Sequence, residues 1–166
     1  MRGGSHPGGT KMQWVTREKA KVDRIACPWL ISRFVDPAAE FLFVPAEKVL
    51  EVASREGAIP FDAPNVELTH YRADNDERVS FDAIVRKYNL TDPALLDLAE
   101  IVRTADAQGV RLRRPEGAGL EAAALGFRAT ARDDHENMRL QFPLYDALYA
   151  YCQGRVAKTG GLEHAR

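Results

Sequence analysis

The sequence predicts a single helix-rich α+β domain with a small sheet of about three short strands, and three observations carry that reading. Apolar residues recur at helical spacing over most of the chain, whereas only three short segments read as strands. A length of 166 residues suits one buried core rather than two. Gly, Pro and Ser crowd the beginning and a polar GRVAKTGGLEHAR stretch closes the chain, so residues 1–12 read as a flexible leader, 13–153 as the folded domain and 154–166 as a flexible tail.

Taken in order, residues 13–16 (QWVT) and 40–44 (EFLFV) read as strands, and 66–70 (VELTH) alternates weakly enough to be a third. Between the first two, residues 23–34 place Ile25, Ala26, Trp29, Leu30 and Phe34 on one side of a helix that Asp36-Pro37 stops. Residues 46–56 carry Val49, Leu50 and Ala53 and close at Gly57, and Ser80 is the expected N-cap of a helix over 81–88. Asp92-Pro93 puts a cap and a first-position proline ahead of a helix ending near Asp106. Helices over 116–129 and 133–152 complete the set.

Charge and composition exclude several classes. With 23 basic against 24 acidic residues and a pI near 6.4, the broad positive field of a nucleic-acid binder is missing. No apolar run approaches the roughly 18 residues that span a bilayer. The first ten residues lack the apolar segment of a secretory signal, and two cysteines without such a signal suggest free thiols in the cytoplasm. Gly-rich phosphate loops, G-x-S-x-G elbows and C-x-x-C pairs do not occur, so small anionic substrates or protein partners are the expected ligands.

Three residues suggest a metal. His135 shares a helical stripe with Met138, Phe142, Tyr145 and Tyr149, which would turn its imidazole inward next to Asp134. Asp106 ends the apolar face Leu95, Leu98, Val102, and a charge there wants a partner. His70 ends the third expected strand. Two imidazoles with carboxylates form a ligand set that leaves positions open on iron, zinc or manganese, so His70, Asp106, Asp134 and His135 are the candidate ligands. The plainer alternative makes Asp133 or Asp134 a helix cap, His135 its hydrogen-bonded neighbour and Asp106 a turn former.

A second constellation is Asp23-Arg24-Ile25-Ala26-Cys27-Pro28-Trp29. If the helix starts at Pro28, Cys27 is its N-cap and a stabilised thiolate; if it starts at Asp23, Pro28 lies inside and Cys27 is a small buried hydrophobe. Arg24 and Arg33 either receive an oxyanion or pair internally with Asp23, Asp36 or Glu40. Tyr145 is a core or rim aromatic whose phenol could reach a polar site. The RLRR run at 111–114 reads as a solvated patch.

The strings KVDRIACPWLISRFVDPAAEFLFVP, GAIPFD, VELTH, SFDAIVRKY, DPALLDLAEIVRTAD, DDHE and PLYDALYAYC, in that order between about Trp14 and Cys152, resemble the C-terminal domain of the bacterial chromate-resistance protein ChrB. The resemblance places Asp23, Arg24, Cys27, Trp29 and Arg33 in one family block, His70 in a second, Asp106 in a third and Asp134-His135 in a fourth. It implies a link to chromate stress and a rhodanese-like partner, but no mechanism; a homo-oligomer is a separate expectation. Where many relatives have a Gly-rich segment and a Cys or Thr before the Ser80-Phe81 pair, this chain has RADNDER and Val79. Three readings follow: a metal-dependent enzyme or oxyanion-handling domain, with Asp23, Arg24 and Cys27 catalytic and Arg33, Trp29 and Tyr145 binding substrate; a non-catalytic oxyanion sensor or interaction module; and a thiol-dependent reductase using Cys27.

Overall fold

The computed structural model describes residues 11–163, with side chains described through Gly160. Strand β1 (Gln13–Arg17) is the middle of a three-stranded parallel sheet, between β2 (Glu40–Val44) and the two-residue β3 (Ile59–Pro60). Its register sets Trp14 beside Phe41 and Ile59. Both faces of β1 are covered, which buries Trp14, Val15 and Thr16 together and gives the strand its unbroken apolar look. Val15 faces Val49 and Val52 on one side, while Trp14 joins the main core with Ile25, Leu30, Phe81 and Leu95 on the other.

Helix α1 (Asp23–Leu30) links β1 to β2, and α2 (Val49–Glu56), after a 3-10 turn at Ala46–Lys48, links β2 to β3. Because the strand order is β2-β1-β3, the second connection steps across β1 and the winding reverses between β1 and β3. In open parallel sheets such a reversal leaves a crevice beyond the carboxyl ends of the two strands, where ligands bind. Helices α3 (Ser80–Lys87), α4 (Pro93–Asp106), α5 (Pro115–Thr130) and α6 (Asp134–Glu163) close the main core, with α4 packed on α5 and α6, and α6 on α1.

Much of this follows the sequence locally. Asp92 accepts from Ala94 N at 2.8 Å and Leu95 N at 3.1 Å, with Pro93 at the first position of α4. Gly57 ends α2 at φ 66°, a left-handed turn that glycine adopts without penalty. The helix-rich α+β class is as expected. No helix among the described residues is long and apolar enough to cross a membrane.

Four details differ. Residues 66–70 are not a third strand; Leu68 makes one isolated bridge to Phe61, and the third strand of the sheet is β3. The charged stretch after His70 is instead a hairpin, β4 (Tyr71–Ala73) against β5 (Asp76–Arg78). Its turn residues Asp74 and Asn75 both take positive φ, 54° and 58°, which a two-residue hairpin turn requires and Asn and Asp tolerate. Ser80 is not the cap of α3: Val79 precedes the helix, its amide held by Asp82 at 2.9 Å. Finally, α6 continues past Gln153 to Glu163; of the expected leader at 1–12, residues 1–10 lie outside the described residues.

Candidate functional site

The reversal between β1 and β3 is where the acidic residues gather. Arg17 ends β1, and Asp62 follows β3 with a left-handed φ of 47° and 4 % exposure. Asp23, 1 % exposed, opens α1, and its carboxylate accepts Ser80 N at 2.7 Å and Phe81 N at 3.1 Å. It thereby caps α3, a helix remote in sequence, taking the place a local cap would fill. Ser80, relieved of capping, donates its hydroxyl to Asp62 Oδ1 at 2.7 Å. Asp106 is the last residue of α4, and its Oδ1 accepts Asp23 N at 3.3 Å.

His70 completes the group just before β4. Its Nε2 lies 3.1 Å from Asp106 Oδ2, 3.4 Å from Asp23 Oδ2 and 3.4 Å from Asp62 Oδ1. One ring nitrogen carries at most one proton, which serves one acceptor, yet three carboxylate oxygens converge on it. A cation at that point would serve all three. Metal–ligand bonds of about 2.1 Å put neighbouring ligand atoms roughly 3.0 Å apart in octahedral and roughly 3.4 Å apart in tetrahedral geometry, and the three distances from Nε2 fall in that range, although Asp106 is not part of the mutually close set. The ligand atoms of Asp23, Asp62 and His70 all lie within 4.8 Å of one another.

The electrostatics reflect this crowding. Burial, then Asp106 and Asp62 nearby, push the Asp23 carboxyl up to about 7, against a partial counter-effect from His70. Burial opposes ionisation of Asp62 as well, but hydrogen bonds from His70 and Ser80 and the charge of Arg17 hold it below the usual carboxylate range. Asp106, Asp23 and Asp62 together push His70 up to about 12. In the metal-free protein these carboxylates favour the protonated imidazole.

Arg24 braces this wall. Its Nη1 donates to Arg17 O at 3.3 Å and Glu18 O at 2.8 Å, and its Nε lies 3.4 Å from Asp62 Oδ2, which ties it to Asp62 and the end of β1. Burial lowers its pKa, with Asp62 opposing. Arg17 reaches Asp62 O at 2.8 Å and Oδ2 at 3.4 Å.

Of the four residues expected to hold metal, His70 and Asp106 come together and Asp134 and His135 do not join them. Asp134 accepts Lys19 N at 2.9 Å and Ala20 N at 2.7 Å, fixing the chain between β1 and α1. His135 does not point inward: it is exposed, and its ring stands edge-on to Phe43, centroids 5.3 Å apart, at the β2 side of the sheet. At the first turn of α6 the apolar stripe has not yet reached the core.

The substrate candidates are likewise placed elsewhere, and the thiol lies buried beside Asp23. Helix α1 starts at Asp23 with Pro28 inside, so Cys27 is no N-cap; it is fully buried and donates its thiol to Asp23 Oδ1 at 3.4 Å. Burial and the neighbouring carboxylates push its pKa well up, the reverse of what a reactive thiolate needs. Trp29 is buried with its indole donating to Asp146 at 2.8 Å, and Arg33 grips the same carboxylate at 3.1 and 3.0 Å. Tyr145 is fully buried, its hydroxyl donating to Val22 O at 3.3 Å, and burial raises its pKa well above the usual phenol value.

Sequence reasoning missed Asp62 altogether and expected Asp23 as a catalytic residue rather than a ligand. A signal for Asp62 exists: an acidic residue directly after the short Ile59–Pro60 strand, at the carboxyl edge of a parallel sheet.

Comparison with known proteins agrees with this architecture in extent. No solved structure matches the chain. Protein ChrB of Cupriavidus metallidurans is 33% identical over 140 residues, covering 84% of this chain and 40% of that protein, so the chain spans about two-fifths of the relative's length. The model of the family described as ChrB, C-terminal domain, matches residues 14–152, from β1 to within α6 and across every residue of the acid cluster. The chain belongs to the ChrB C-terminal domain family.

Proposed function

We propose that this chain is a divalent-metal-binding domain in which His70, Asp23, Asp62 and Asp106 surround one ion. The observation that carries the reading is the convergence of three carboxylate oxygens, at 3.1–3.4 Å, on a single imidazole nitrogen. A nitrogen–oxygen donor set with the nearby thiol locked in its protonated form suits manganese, iron or zinc rather than a thiophilic ion such as copper(I). Asp23 and Asp62 form the buried wall, whereas the side chains of His70 and Asp106 are 38% and 16% exposed, so remaining coordination positions would face solvent on that side.

Charge balance then bears on the ligand. Three carboxylates, Arg17, Arg24 and a protonated His70 leave the metal-free site near net zero, and exchanging the imidazole proton for a divalent ion makes it +1. The loaded site attracts a small anion and the metal-free site does not. Because both arginines are engaged by Asp62 and by backbone carbonyls, the anion would be held by the ion itself. The family's link to chromate makes a tetrahedral oxyanion the natural ligand.

Calorimetric titration of chelator-treated protein with Mn²⁺ tests the reading. Saturation near one equivalent is expected for the wild type, with loss of binding in His70→Ala and Asp62→Asn. Chromate should then bind the Mn²⁺-loaded protein only. Absence of wild-type Mn²⁺, Fe²⁺ and Zn²⁺ binding would remove the metal; equal chromate affinity with and without metal would remove the anion role.

A further inference from the structure

Glu77 lies outside the acid cluster but touches both of the segments that deliver its exposed side. On β5 it pairs across the hairpin with Arg72. Its two carboxylate oxygens are divided: Oε2 accepts Gly109 N at 2.9 Å, and Oε1 lies 3.9 Å from His70 Nδ1, the ring nitrogen turned away from the aspartates. Gly109 belongs to the loop that continues from Asp106. A Cβ at Gly109 would stand 2.5 Å from Glu77 Oε2, so the contact as built needs glycine there for closeness of approach. Next to it Asp76 makes a parallel tie, accepting Arg111 N at 3.0 Å while also bonding Glu77 N and pairing with Arg78, but it has no contact with the imidazole. The hairpin that carries His70 and the loop leaving Asp106 are thus stapled by two carboxylates, and one of them faces the far side of the ring.

We infer that Glu77, held in place by the Gly109 amide, is the positioning residue for His70: its carboxylate, 3.9 Å from Nδ1, holds the ring so that Nε2 stays turned toward Asp23, Asp62 and Asp106. At 3.9 Å the pair acts through charge rather than a direct hydrogen bond. The geometric part stands on its own, while its consequence for affinity rests on the metal-binding reading above. In metal sites the partner of the second ring nitrogen fixes the tautomer and the ring orientation, and losing it weakens binding about 10–100-fold.

The test compares Glu77→Ala, Glu77→Gln, Gly109→Ala, the Glu77→Ala/Gly109→Ala pair and Asp76→Ala. Mn²⁺ affinity is read by calorimetry, and the His70 ring by ¹⁵N NMR of the metal-free, histidine-labelled protein. Glu77→Ala should weaken Mn²⁺ binding about 10–100-fold, Gly109→Ala should act in the same direction, and the pair should bind no worse than Glu77→Ala, because the glycine works through the carboxylate. Glu77→Gln, which still accepts from Gly109, should recover part of the loss, and Asp76→Ala should stay within about twofold. The Nδ1 signal of His70 should shift in Glu77→Ala, because the neighbouring carboxylate is gone. Should the wild type take up no Mn²⁺, the metal reading falls and the Nδ1 signal alone decides: unchanged in Glu77→Ala, it overturns the inference. With wild-type binding intact, equal affinity in Glu77→Ala, or an equal loss in Asp76→Ala, overturns the inference and leaves the metal reading standing.

Discussion

The carboxylate of Asp23 lies 3.4 Å from the Nε2 of His70 and at the same time accepts the Ser80 and Phe81 amides at 2.7 and 3.1 Å. One buried side chain therefore joins the start of α3 to the centre of the acid cluster, and stability and site chemistry are coupled through it.

Asp23→Ala leaves two buried amides without an acceptor, and the unfolding free energy should fall by about 2–3 kcal/mol. Asp23→Asn keeps a carbonyl oxygen for one amide and should recover about half of that loss, yet it should bind Mn²⁺ far more weakly than the wild type. Urea denaturation of metal-free protein reads the first effect; an Asp23→Ala stability within about 0.5 kcal/mol of wild type would contradict the capping role.

The pH dependence of the metal-free protein has a fixed sign. Asp23 is held up at about 7 against an ordinary 3.8, so the folded chain keeps a proton that the unfolded chain releases across that window, and stability falls as pH rises. His70 is raised from 6.5 to about 12; its contribution is complete below 6.5 and is lost as pH climbs toward 12. Both slopes are downward, so urea midpoints should decline from about pH 5 to about pH 9, and His70→Ala should flatten the upper part of the curve. Midpoints that rise over this range would show that the imidazolium is not held by the carboxylates.

Neither cysteine should react in the native state. Cys27 is fully buried with its thiol pushed well up, and Cys152, also buried and beside Asp97, is pushed up to about 12 by burial and that carboxylate. A chromogenic disulfide reagent should therefore label less than about a tenth of an equivalent until denaturant is added. Fast labelling of Cys27 in folded protein would restore a thiol-based reading.

Arg33 offers a contrast. Its bidentate pair with Asp146 is about half exposed on both sides, 43% and 49%, and it stacks over Phe142 away from the acid cluster. Arg33→Ala should cost at most about 1 kcal/mol and leave Mn²⁺ affinity unchanged. A strong loss of metal binding in this variant would place it in the site after all.

What the sequence made legible was local. The Asp92-Pro93 opening of α4, the Gly57 stop of α2 and the start of the long final helix are written in capping chemistry and periodicity, and the structure has them within a few residues, although that helix runs on to Glu163. His70 and Asp106 were also visible as polar groups at the ends of apolar segments. The hairpin was hidden because RADNDER has no alternating apolar face; its turn is set by two positive-φ residues instead. Asp62 was hidden for a topological reason, since a two-residue strand gives no periodic signal and only the β2-β1-β3 order reveals that it stands at a reversal point. His135 misled through the opposite error: it fits the stripe of α6 by spacing, but the first turn of that helix projects beyond the core.

Anomalous diffraction from crystals of the Mn²⁺-soaked protein tests the central claim most directly. The account expects one strong peak at about 2.0–2.3 Å from His70 Nε2 and from carboxylate oxygens of Asp23, Asp62 and Asp106. A map with no peak there, or with its strongest protein-bound peak at His135, would mean that the four residues are an ion-pair network closed by a proton and that the metal reading is wrong.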